Sequence, residues 1–152
     1  MHDHDAPVPA LRVDPPLTAT EIELLAGLAG WRGAVRRVLP PQPTPRSPWV
    51  PCRDGCCLRL ARRHREEPAA WLRWLVREVL DPRAAPALRR AGRLGLAGGH
   101  AVGGEIPLAA GTGARLVVRA NRVHEVPGAA ASAARSTTRR AEVRSRDDDP
   151  PA

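Results

Sequence analysis

The sequence has no lysine, no phenylalanine and no tyrosine, and it holds only two isoleucines and one asparagine. Without lysine there is no P-loop lysine, no Schiff-base lysine and no kinase-type lysine, which removes those classes of phosphoryl-transfer and carbonyl chemistry. Without Phe and Tyr, four tryptophans are left as the only aromatic platforms on which a base could stack. There is no G-x-S-x-G stretch, and the carboxylates outside the chain ends are few and form no pair placed for acid–base work. No run approaches the roughly 20 apolar residues of a spanning helix. The opening MHDHDAPVPA has neither the basic nor the apolar region of a signal peptide. These absences lead us to expect a cytoplasmic chain, without a membrane partner, that is not an enzyme.

The missing and scarce residue types share AT-rich codons, so GC-rich coding accounts for much of the composition, including part of the formal charge of +8. That weakens the usual step from basic charge to nucleic acid. The charge is uneven: residues 1–51 balance, residues 52–93 carry a net +6, and residues 94–128 and 129–152 add +1 each. At 152 residues there is room for one domain with a modest core.

Residues 48–80 organise the chain, holding all three cysteines and three of the four tryptophans. Asp54-Gly55 is a strong turn signal because glycine tolerates a positive φ. A hairpin is predicted with arms at 50–52 and 56–60 and its tip at 53–55, with Trp49 covering its apolar face. Pro48 and Pro51 place the first arm at a sheet edge, since proline cannot donate to a ladder. After a link at 62–65, Glu66 and Glu67 suit the positive end of a helix dipole and Pro68 its first turn. At 100° per residue Trp71, Leu72, Leu75, Val76, Val79 and Leu80 form one apolar face, with Arg73 and Arg77 opposite, and Asp81-Pro82 ends the helix. Trp74 falls on the polar side. It is either covered by another element or, with Arg73 and Arg77, an exposed anchor for a protein partner.

Elsewhere, residues 1–17 read as a disordered N-terminus. Thr18 with Glu21 has capping-box spacing for a helix ending at Gly30, with Thr20 and Glu23 as the other register. Residues 34–39 read as a strand and the proline-rich 40–48 as an extended linker. A short helix is expected around 87–90, followed by a glycine-rich loop. A small antiparallel meander then runs through 100–106, 115–120 and 123–126, turning at Gly111-Thr112-Gly113 and at Asn121-Arg122. Residues 127–152 lack apolar residues for a core and read as a disordered tail. The expected whole is a single α+β domain over 18–126, with two main helices on a small, mostly antiparallel sheet.

Cys52, Cys56, Cys57 and His64 are the candidate metal ligands, and zinc is the candidate ion. Cys52-x3-Cys56 fits a zinc knuckle, and His64, His100 or His124 could complete the set. A second Cys pair is missing, and adjacent Cys56 and Cys57 would face opposite ways within a strand. A cysteine nucleophile lacks any catalytic signature, although Arg53, Arg59 and Arg62 could lower a thiol pKa. Nucleic-acid binding would rest on Arg59, Arg62, Arg63 and Arg65 and on Arg89, Arg90 and Arg93. Two further histidines, His100 and His124, fall in predicted strands, where a surface position is the common case.

The layout, with SPWVPCRDGCCL at 47–58, WLRWLVREVL at 71–80 and NRVHE at 121–125, resembles small uncharacterised proteins of GC-rich actinomycetes. The resemblance brings no activity and no functional residue. The leading expectation is an accessory or protein-interaction module. The alternative is a zinc-stabilised or nucleic-acid-associated basic protein.

Overall fold

The computed structural model describes residues 8–63, 65–109 and 111–128. Strand β1 (Ala10–Asp14) leads to helix α1 (Ala19–Ala29) and then to the hairpin of β2 (Trp49–Pro51) and β3 (Cys57–Leu60). Helix α2 (Pro68–Leu75) continues into a π-helical turn (Val76–Leu80), and helix α3 (Ala85–Leu94) follows. Strands β4 (Ala101–Pro107), β5 (Arg115–Arg119) and β6 (Arg122–Val126) complete the described chain. The fold is α+β, with three helices and one six-stranded antiparallel sheet in the order β2-β3-β1-β4-β5-β6 among the described residues.

The expectation that 1–17 is disordered is corrected at Ala10–Asp14. This segment sits at the centre of the sheet, with Leu11 opposite Leu58 and Val13 opposite Val102. Leu11 and Val13 are 0% and 2% exposed, while Arg12 and Asp14 point to solvent. The alternation is two apolar residues long and hemmed by prolines, too short to outweigh its polar surroundings in the sequence. Residues 1–7, and the predicted tail from 129 onward, lie outside the described residues.

Gly103 and Gly104 mark a bend in the sheet. Strand β4 pairs with β1 through residues 101–103 and with β5 through residues 104–107. At Gly104 φ is +129°, open to glycine and strained for other residues, so the strand can change direction there. Helix α2 touches both edge strands, β2 and β6. Trp49 Nε1 donates to Pro68 O at 2.9 Å, and Arg73 Nη2 donates to Val123 O at 3.2 Å. A flat six-stranded sheet would hold its edges about 24 Å apart at the usual strand spacing, twice the roughly 12 Å length of an eight-residue helix. The sheet therefore curls around α2.

That curl corrects the reading of Trp74 as an exposed anchor. A wrapped helix buries a wider arc than one lying on a flat surface, and Trp74 is 3% exposed within the core. It stands edge-on to Trp71, with ring centroids 5.4 Å apart and planes at 74°. Trp71 in turn donates from Nε1 to Thr44 Oγ1 at 2.7 Å. Arg73 and Arg77 stay exposed, Arg77 paired with Glu78 at 3.1 Å.

Residues 34–39 form no strand, and 40–48 form a packed loop. The amide of Arg37 donates to Gly27 O at 3.1 Å, and a Cβ at Gly27 would stand 2.3 Å from Val35 O. The chain thus crosses closely over α1 and leaves Val35 and Val38 in solvent, with no neighbouring strand to pair with. Gln42 donates to Thr44 O within the loop, Arg36 ties Pro45 O of the loop to Leu28 O of α1, and Ser47 is buried.

The capping box at Thr18 and Glu21 is present. Its carboxylate does more than cap. Oε2 accepts from Thr18 N at 2.8 Å, and Oε1 accepts from Ala97 N at 2.7 Å and Gly98 N at 3.0 Å. His100 Nε2 stands 2.9 Å from Oε2, and Nδ1 stands 2.7 Å from Pro15 O. This corrects the surface reading of His100, which is 2% exposed beside a fully buried Glu21. A carbonyl can only accept, so Nδ1 carries a proton. Burial pushes the Glu21 carboxyl up, but hydrogen bonds from Thr18, Gly98 and His100, with the charge of His100, bring it below its ordinary 4.5. Glu21 is then held as an anion by the donors gathered around its two oxygens.

Two outcomes follow. Replacing Trp74 by Ala should destabilise the protein by about 3–5 kcal/mol in urea denaturation, against roughly 0.5 kcal/mol for a solvent-exposed site. Because the folded pKa of Glu21 is depressed, its stabilisation is fully present above the ordinary carboxylate value and is lost as pH falls through the folded value. The gap in melting temperature between wild type and Glu21→Gln should narrow as the pH is stepped down below 4.5.

Candidate metal centre

The β2–β3 turn gathers all three cysteines. Gly55 N donates to Cys52 O at 3.1 Å, closing a four-residue turn with Gly55 at φ +74°. A Cβ there would meet Leu17 O at 2.6 Å, and Leu17 N donates to Gly55 O at 2.9 Å. Glycine thus meets two demands, a left-handed turn and close docking of the hairpin tip against the connection between β1 and α1. Val13 N donates to Cys56 O at 2.9 Å, fixing the next residue against β1.

Cys56 lies between the turn and β3, which begins at Cys57. The alternation of a strand does not yet govern it, so the expectation that Cys56 and Cys57 diverge is corrected. The Sγ atoms of Cys52, Cys56 and Cys57 all lie within 4.8 Å of one another. The Sγ atoms of Cys52 and Cys56 stand 3.5 Å apart, and Cys57 N donates to Cys52 Sγ at 3.1 Å. Cys56 is exposed and the other two are half-buried, all as free thiols.

The three thiols hold their protons unequally. Burial pushes the Cys52 thiol up, yet hydrogen bonds from the Cys57 and Cys56 thiols and from backbone N–H groups of Cys57 and Asp54 bring it down to about 7. Cys57 is pushed up to about 11 by burial and by its bond to Cys52, with Arg59 opposing. Cys56 is raised by the hydrogen bond it gives Cys52 and by the charge of Cys52. Of the arginines expected to act on the thiols, Arg59 does so, on Cys57.

A tetrahedral zinc ion with Zn–S bonds of about 2.3 Å separates its sulfurs by about 3.8 Å, a spacing this cluster meets with small side-chain rotations. The cluster offers three thiolates on one exposed tip, which leaves a fourth position for water, an added ligand or a further side chain. His64 lies outside the described residues. His100 is held by Glu21 and Pro15, and His124 stands on β6, separated from β3 by β1, β4 and β5. The basic residues divide between places: Arg59, Arg62 and Arg63 flank the hairpin, Arg65 donates to Leu108 O, and Arg90 on α3 faces Glu78.

No protein-family model, curated protein or solved structure matches the chain. No helix among the described residues is long and apolar enough to cross a membrane.

In the metal-free, reduced protein, Cys52 should alkylate with a pH midpoint near 7, while Cys57 should stay protected until strongly alkaline pH. Iodoacetamide labelling across pH, with the modified positions mapped by mass spectrometry, measures both.

Proposed function

We propose that this protein is a small, non-enzymatic accessory module that binds one thiophilic metal ion, zinc in the first instance, through Cys52, Cys56 and Cys57. The observation that carries this reading is the convergence of three sulfurs within 4.8 Å on a turn braced by Gly55 and Cys56 against the core. All-thiolate sites select soft or borderline cations over magnesium or calcium, which prefer oxygen. Metal binding drives off thiol protons, so the unequal proton affinities of the free cluster are no obstacle to three thiolate bonds. The partner-binding reading centred on Trp74 loses its anchor, because that ring is inside the core.

Native mass spectrometry of the reduced protein with one equivalent of zinc should show one added ion, lost on denaturation. Cobalt(II) in its place should give thiolate charge-transfer absorption. Each of Cys52→Ser, Cys56→Ser and Cys57→Ser should weaken zinc by more than about tenfold, at least the cost of disturbing a ligand's supporting shell. Equal zinc retention by the triple serine variant would overturn the reading.

A further inference from the structure

Beside the thiol cluster lies a cleft of about 780 Å³ between α1, the β2–β3 hairpin and the residues that follow it. Its volume falls within the range of small-molecule sites, about 300–1,000 Å³. Two features set its chemistry. The floor is apolar, built from Ile22 and Ala26 of α1, Val50 and Leu60 of the hairpin, and Trp31 just beyond α1. The rim is cationic: Arg46, Arg53, Arg59, Arg62 and Arg63 all line the cleft, and no carboxylate among the described residues does. Trp31 is 57% exposed, whereas Trp49, Trp71 and Trp74 are at 0–3%.

We infer that this cleft binds a small amphipathic anion, an apolar chain or ring carrying a carboxylate or phosphate head. The apolar body would cover Trp31 and the floor, removing apolar surface from water. The head would meet guanidinium forks, whose paired N–H groups match either oxyanion. A small inorganic anion would leave the apolar floor uncovered. A nucleic-acid strand needs successive stacking platforms, and among the described residues Trp31 is the one aromatic ring in the lining. Cys52 borders the cleft as well, but the inference stands apart from metal binding because it rests on Trp31, the apolar floor and the arginines.

The test titrates decanoate and decyl phosphate, each below its aggregation threshold, against decanol and decyltrimethylammonium. Trp31 is the solvent-facing fluorophore, so an occupied cleft should shift emission to the blue, and calorimetry should give the same constants. Both anions should bind, with decanol weaker by at least about tenfold and the cation without effect. The tighter of the two anions identifies the head as carboxylate or phosphate. The double variant Arg62→Glu/Arg63→Glu, at exposed positions, should weaken the anions about tenfold with an unchanged circular dichroism spectrum. Arg53→Glu at the hairpin tip provides the same readout should the double variant fail to fold. Decanol binding as tightly as decanoate, anion affinity unmoved by charge reversal, or displacement of decanoate by far lower concentrations of mixed single-stranded DNA would each overturn the inference.

Discussion

Glu21 carries its carboxylate into the interior and meets three backbone N–H groups and an imidazole there. The donors come from three places: the start of α1, the loop after α3, and His100 at the head of β4. His100 also reaches Pro15 between β1 and α1, donating from Nδ1 to its carbonyl. Asn121 extends the tie, donating to His100 O at 3.0 Å and to Asp81 Oδ2 at 3.3 Å while accepting from Val102 N. A buried anion without these donors would be strongly destabilising. With them it fixes α1 against the sheet, and through Leu17 it fixes the surface on which the hairpin tip rests.

The parts legible in the sequence were those with local causes. The hairpin follows from Asp54-Gly55, the edge position of β2 from Pro48 and Pro51, the cap of α1 from Thr18 and Glu21, and the meander from alternation around Leu116 and Val118. The parts that were hidden depend on distant partners. Ala10–Asp14 becomes a strand because β3 and β4 flank it on both sides. Trp74 is buried because the sheet curls, and the bend at Gly103-Gly104 looked in the sequence like one more glycine in a loop. His100 and Glu21 stand 79 residues apart in sequence, and no spacing rule joins them. For the thiols, the residue types and the turn were legible. Their convergence was not, because it depends on where β3 begins.

The hairpin presents two chemistries side by side. Its tip groups three sulfurs, and its flank joins α1 in an arginine-rimmed apolar cleft that Cys52 also borders. Both are built on short elements braced from behind: Gly55 against Leu17, Cys56 against Val13, and Trp49 against the first turn of α2. Such bracing keeps reactive groups on an exposed turn in a fixed relation to one another without burying them.

The central place of β1 has a consequence for the order in which the chain can fold. One side of β1 waits for residues 57–59 and the other for residues 101–103. The β2–β3 hairpin and the β4–β6 meander can each form from near neighbours, but within the sheet they are joined only through this strand. Pairing across such sequence separations costs loop-closure entropy before its contacts form. Of the sheet's pairings, those of β1 therefore carry the largest loop-closure cost. Until β1 pairs, each half exposes an unpaired strand edge, β3 on one side and β4 on the other, as the surface most open to pairing with another molecule.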